Sequence, residues 1–201
     1  MAFHPDAISN SLFEVAIAAR RGEVSTILAK AQSPHGQVRA AAIKALSGDD
    51  DIVIETIEKA FSDPDPAVRV AAAYAAIPRP RLNVTALLRD SNPEVVETAC
   101  FAAGEIAEDS NRKLLEKIAS AHPEATCRES AIAALGVLGN TGSLEIIIAA
   151  LDDKPYIRRR AVVALAAFDD LRAEEAIKKC LLDRDHQVRQ LAEDLLRPDP
   201  D

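Results

Sequence analysis

The chain has 201 residues, a formal net charge of −8, 48% hydrophobic and 28% charged residues, only 3% aromatics and no tryptophan. It is too apolar for a disordered chain and too poor in glycine for a collagen-like one, and its three cysteines are too few for a disulfide scaffold. A reducing, cytoplasmic location is therefore expected. The acidic balance disfavours nucleic-acid binding, which needs clustered Lys and Arg. No apolar run approaches the ~18 residues of a membrane span, and residues 1–11 lack a basic-then-apolar leader, so neither membrane insertion nor secretion is expected.

Residues 6–21 predict an N-terminal cap helix within 1–22. From residue 23 the sequence repeats itself. Six segments align without gaps on a Val-Arg-x-x-Ala pattern: Gln37-Val38-Arg39, Ala67-Val68-Arg69, Glu94-Val95-Val96, Thr126-Cys127-Arg128, Tyr156-Ile157-Arg158 and Gln187-Val188-Arg189. Their apolar positions are 30, 27, 32, 30 and 31 residues apart. Counting from that position, offset +4 is alanine in every copy: Ala42, Ala72, Ala99, Ala131, Ala161 and Ala192. Offsets +7 and +8 are alanine or leucine. Offsets 0, +4, +7 and +8 form one stripe of an α-helix, and small residues along it let neighbouring backbones approach.

Six residues before each Arg position stands a turn or cap residue: Ser33, Asp63, Asp90, His122, Asp152 and Asp183. Pro66, Pro93, Pro123 and Pro155 follow near helix starts, where the missing N–H costs nothing. A second, shorter apolar helix lies between copies, as over 51–61 and 142–151. No stretch alternates with period two, so no sheet is predicted. At Ile77-Pro78-Arg79-Pro80-Arg81-Leu82 two prolines end a helix, and only a short one fits over 83–89. That junction reads either as a neutral linker or as a hinge. The helix over 186–197 is polar at Glu193 and Asp194, as a terminal layer should be, and 198–201 reads as a frayed tail.

Asp63-Pro64-Asp65-Pro66-Ala67-Val68-Arg69-x-Ala-Ala, recurring about every 30 residues, resembles a HEAT repeat, and the short period is similar to the phycobilisome-lyase-type HEAT-like subfamily. The resemblance spans about 23–197. It implies an all-α superhelix, a HEAT/armadillo-like solenoid of about six two-helix repeats, running as one domain over 1–201. It also implies a ladder between the turn Asp and the second-helix Arg of successive repeats. The matching positions are Asp63 with Arg69, Asp152 with Arg158, and Asp183 with Arg189. Arg39 and Arg128 face Ser33 and His122 instead. Val96 replaces the Arg of the third copy, so the ladder should be interrupted there.

Catalytic motifs are absent. The histidines (His4, His35, His122, His186) have no metal-ligand spacing, and no HExxH or Cys-x-x-Cys occurs. No cofactor or metal is expected. Cys100 and Cys127 fall at small apolar core positions; Cys180 has basic neighbours but also aligns with an apolar one, and structural thiols are the favoured reading. Gly136-Val137-Leu138-Gly139-Asn140-Thr141-Gly142 follows a helix and reads as a helix stop, not a dinucleotide loop.

In such solenoids the second helices line the concave side, as the resemblance implies. Offsets +2, +3, +6 and +10 should be exposed there. Offset +6 places Tyr74 and Phe101 in adjacent copies. Glu97 and Glu105 flank Phe101 one helical turn away on either side, Glu129 follows in the next copy, and Arg159 and Arg160 in the one after. This strip has an aromatic centre, an acidic flank and a basic end, the composition of a protein interface. The function expected is a non-enzymatic scaffold or adaptor binding another protein or peptide. The alternative implied by the subfamily is a bilin lyase-like or phycobilisome-associated chaperone-type protein. HEAT-like DNA glycosylases, which need a basic concave face, fit badly.

Overall fold

In the computed structural model of the protein, residues 5–197 are described; His4 and the tail at 198–201 lie outside them. They form twelve α-helices joined by short 3-10 turns, with no strand among them. The chain divides into two compact units, residues 1–102 and 103–201.

The first unit begins with α1 (Pro5–Arg21), which packs on α2 (Val24–Lys30) and α3 (Gly36–Ala45). It continues with α4 (Asp51–Ala60), α5 (Pro66–Ala76) and a 3-10 segment over Val84–Arg89. The helix α6 (Pro93–Ile106) begins in this unit and ends in the second. The second unit carries α7 (Arg112–Ala121), α8 (Ala125–Leu138), α9 (Leu144–Ala149), α10 (Pro155–Leu165), α11 (Leu171–Lys179) and α12 (His186–Leu196). The expected short helix over 83–89 is this 3-10 segment.

Helix ends follow local chemistry. Asp65 precedes Pro66 at the start of α5, and its carboxylate accepts the Ala67 N–H at 2.9 Å. Asp185 does the same for the N–H groups of Gln187 and Val188 at the start of α12. Gly139, at φ +60°, ends α8 in the left-handed region that favours glycine.

The repeated stripe is the core. The alanines at offset +4 are 0% exposed in all six copies, and the residues at offset 0 are at most 1% exposed. Each buried Val or Ile at offset 0 contributes roughly 1.5–3 kcal/mol of transfer free energy. The alanines contribute less area, but they set how near the second helices can lie. Offsets +2 and +3 depart from expectation. Ala40, Val70, Ala71 and Thr98 are buried, because small or β-branched residues there join the packed side of the helix. Offsets +6 and +10 carry the exposed face.

Glycine tightens the seam further in the second unit. A Cβ on Gly136 of α8 would sit 2.7 Å from the Ala164 Cβ and 2.9 Å from its Cα on α10. Gly104 lies at the equivalent offset of its own copy, and a Cβ there would be 3.1 Å from the Ala134 Cα.

A ladder of buried ion pairs joins successive turns. The Arg39 guanidinium donates twice to Asp63, at 2.8 and 2.7 Å, and once to its own turn, at the Ser33 carbonyl. Arg69 repeats this with Asp90 and the Asp63 carbonyl. In the second unit Arg128 bridges Asp153 and the His122 carbonyl, and Arg158 bridges Asp183 and the Asp153 carbonyl. The pairing assigned by resemblance is therefore corrected. Arg69 meets Asp63, and Arg189 meets Asp183, only at the backbone carbonyl. The carboxylate partner of each paired Arg belongs to the next turn. Asp152 is not a ladder residue; it is exposed and Asp153 takes its place. The reason is local: in the turn before α10 the carbonyl that accepts from the Arg stands five residues before it, where the His122 carbonyl stands six before Arg128. Val96 is buried and offers no guanidinium, so the third copy supplies no rung.

Each ladder carboxylate also closes its own turn by accepting a nearby N–H, as Asp183 does from Asp185 at 2.7 Å. At His122 the ring Nδ1 takes that role for the Glu124 N–H. The guanidinium beside each of Asp153 and Asp183 holds its carboxyl below the ordinary range, against a smaller opposing effect of burial. For Asp63 and Asp90 burial is the largest single influence and pushes upward, but the Arg and backbone donors together outweigh it.

Two predictions follow from this packing. Gly136→Ala should destabilise the protein by about 1–3 kcal/mol in urea unfolding despite the ~1 kcal/mol gain in helix propensity, because the displaced neighbour is backbone. The ladder sets the acid limb of stability. Carboxyls with folded pKa values below their unfolded value contribute fully above about pH 4 and lose that contribution as pH falls through the lowered value. Asp153→Asn should therefore lower the midpoint at pH 7 and make the decline below about pH 4 shallower.

Candidate functional site

The exposed face of the second helices differs between the units. In the first, Tyr74 of α5 and Phe101 of α6 are 47% and 46% exposed, and their rings stand 6.0 Å apart, tilted by 57°. A tilted aromatic pair in that range contributes about 0.5–1.5 kcal/mol beyond its area. Nearly half of each ring nonetheless remains in water. Glu97, one turn before Phe101, is half-buried, and Lys44 occupies the equivalent offset of α3.

Tyr74 also lines a cavity of about 530 Å³ together with Lys44, Gly48, Asp49, Pro78 and Arg79. Arg79 is 5% exposed. Its Nε donates to the Gly48 carbonyl at 2.8 Å, Nη1 to the Ala75 carbonyl at 2.5 Å and Nη2 to the Leu46 carbonyl at 3.0 Å. These carbonyls end α3 and α5 and have lost their helical partners, so the guanidinium caps two helix C-termini at once. Burial pushes the Arg79 pKa down, opposed by Asp49, but an arginine remains charged.

In the second unit the face is aliphatic. Val137 and Val163 are 61% and 47% exposed and, with Ala133, Gly136 and Ala167, line a cavity of about 380 Å³. Its one charged lining residue, Arg160, is ion-paired. Arg160 lies 3.4 Å from Glu129; Arg159 lies 3.6 Å from Asp185 and also donates to Gln187. A smaller cavity of about 210 Å³ sits between Tyr156, Glu129, Arg159 and Arg160. Glu105 on the last turn of α6 is exposed. Of the seven residues expected on one strip, Tyr74, Phe101 and Glu97 thus fall in the first unit, and Glu105, Glu129, Arg159 and Arg160 in the second.

A family model of HEAT repeats matches residues 81–156 and 112–197, together more than half of the sequence. The chain belongs to the HEAT-repeat family. No curated protein matches it significantly. Solved structures similar to it include a designed armadillo repeat protein, YIII(Dq.V1)4CPAF, in complex with the peptide (KR)4. That protein is 18% identical, with 87% of this chain and 98% of that one covered at a TM-score of 0.61. A second is the complex of CpcE and CpcF of phycocyanin lyase from Nostoc sp. PCC7120, 19% identical, covering 74% and 100% at a TM-score of 0.61. A third, the designed armadillo repeat protein YIII(Dq)4CqI, is 19% identical and covers 85% and 97% at a TM-score of 0.58. At these identities the likeness is one of fold.

The thiols of this HEAT protein are all buried. Cys180 donates to the Ala176 carbonyl, and burial with the nearby Asp183 pushes its pKa up to about 11, with Arg158 opposing. The basic neighbours Lys178 and Lys179 are exposed and do not activate it. Among the described residues, no three His, Cys, Asp or Glu side chains gather as a metal-binding group.

The sequence reading passed over Arg79, Tyr156 and the exposed valine Val137. Arg79 carried one usable signal: a cation just past a helix C-terminus, held by prolines on both sides. Arg79→Ala strands two buried carbonyls and one half-buried one and should cost about 3 kcal/mol in urea unfolding, with Arg79→Lys recovering part of it.

Proposed function

We propose that this HEAT-repeat protein is a non-enzymatic interaction scaffold that holds a partner protein or peptide on the exposed face of its second helices. The observation that carries this reading is the Tyr74–Phe101 pair, two rings that contact each other yet leave nearly half their surface in water. Aromatic anchors of this kind dominate interface energetics, and rigid rings lose little entropy on binding. Glu97 supplies a polar rim beside them. In the second unit the aliphatic cavity at Val137, Val163 and Arg160 offers a separate contact surface, next to a smaller one lined by Glu129, Arg159 and Arg160, with Glu105 at the end of α6. The likeness to a designed armadillo protein that binds a peptide, and to a lyase whose two chains form a complex, supports a protein partner at the level of fold. We place the scaffold in the cytoplasm.

The double variant Tyr74→Ala/Phe101→Ala should retain its helical circular dichroism and lose at least ten-fold in capture of the wild-type binding partner. Undiminished capture removes the aromatic pair from the interface. Incubation with a bilin should leave the bilin absorbance spectrum unchanged; a shift would favour the tetrapyrrole-handling alternative.

A further inference from the structure

The arginines most withdrawn from water divide into two kinds. Arg158, 3% exposed, has the Asp183 carboxylate against it. Arg39, Arg69 and Arg128 likewise each hold a carboxylate through two hydrogen bonds. Arg79 is as deeply buried, at 5% exposure, but its recorded partners are three main-chain carbonyls and no carboxylate. A guanidinium carries five N–H donors, so three bonds leave two without a protein acceptor among the described residues. Carbonyl dipoles solvate this cation without neutralising it, and Asp49, the carboxylate that acts on it, does so through space without a hydrogen bond, an arrangement that leaves the buried charge costly.

Arg79 is also a wall of the 530 Å³ cavity in the first unit. Lys44 is a second cation on that wall, and Asp49 is the one carboxylate among its lining residues. The lining thus holds one positive charge in excess. Tyr74 belongs both to this wall and to the exposed ring pair with Phe101. A cation-lined cavity and an apolar platform share one side chain.

We propose that the cavity is a carboxylate-recognition site, which takes the side chain of an acidic residue of a partner peptide while a neighbouring apolar side chain lies on Tyr74 and Phe101. This deepens, and rests on, the scaffold reading above. The two N–H groups of Arg79 not given to the carbonyls suit the oxygens of a carboxylate, and Lys44 adds a point charge at the wall. The occupant is an acidic-apolar segment. A Lys- and Arg-rich segment would bring like charges to Arg79 and Lys44.

The test uses the full chain labelled with ¹⁵N. Acetyl-Leu-Phe-Glu-amide and acetyl-Leu-Phe-Gln-amide are titrated separately, following the Arg79 Nε–H resonance and the backbone amides of Tyr74 and Phe101. The Arg79 signal is assigned by its absence in Arg79→Lys. The glutamate peptide should move the Arg79 resonance and bind at least ten-fold more tightly than the glutamine peptide. Lys44→Ala, at an exposed position that leaves the fold intact, should weaken the glutamate peptide several-fold and the glutamine peptide not at all. Equal affinity for the two peptides with shifts only at Tyr74 and Phe101 overturns the carboxylate site and leaves the aromatic docking face standing. An Arg79 shift specific to glutamate, without shifts at the two aromatics, supports the site and removes the aromatics from docking. No shift at Arg79 with either peptide, or tighter binding of (KR)4 than of the glutamate peptide, overturns the inference.

Discussion

Close approach of neighbouring second helices is the constraint on which each unit is built. It requires residues with almost no side chain along the seam: offset +4 is alanine, 0% exposed, in all six copies, and in the second unit glycines at offset +9 meet alanines at offset +7. Once those positions are fixed, the larger residues at offset 0 have a defined space to fill, and the short first helices have a defined surface to cover. A seam of alanines gives shape more than energy. The Arg–Asp rungs make good part of the difference: they are directional, mostly withdrawn from solvent and doubly bonded, and they fix each turn relative to the next.

The same constraint decides which residues are free for function. Offset +4 does not vary in size among the six copies, and the Arg position varies only at Val96. Variation collects at offsets +6 and +10, where the copies carry Lys44, Tyr74, Phe101, Val137 and Val163. The first unit has used this freedom for rings above a cationic cavity and the second for an aliphatic floor with a neutralised rim. A common scaffold thereby presents two chemically distinct surfaces.

The fold was legible because the repeat multiplied every signal. One Val-Arg-x-x-Ala says little, but six at near-constant spacing predict paired helices, their buried stripe and their capping turns. What escaped was contact that the repeat leaves degenerate. Asp63 is six residues from Arg69 and 24 from Arg39, and nothing in the pattern says which guanidinium its carboxylate takes. The shift from Asp152 to Asp153 reflects a turn one residue tighter, which an ungapped alignment conceals. Offsets +2 and +3 were read as exposed from helical geometry alone, whereas alanine and valine at 40, 70 and 71 extend the packed side. Arg79 lay outside the repeat, in a junction read as linker or hinge, and its ties to the Gly48 and Leu46 carbonyls, 31 and 33 residues earlier, have no sequence signature.

Every rung points the same way along the chain, from a guanidinium to the acceptor of the following turn. The array therefore has a grammar. A block holding Asp153 and Arg158 contains one incoming acceptor, for Arg128, and one outgoing donor, to Asp183, so a duplicated block would read correctly at both of its ends. A block cut from the third copy would carry an acceptor and, with Val96, no donor, and would act as a full stop. Gain or loss of whole copies is thus tolerated where the sentence still parses, and the position of the one mute copy fixes where it does not.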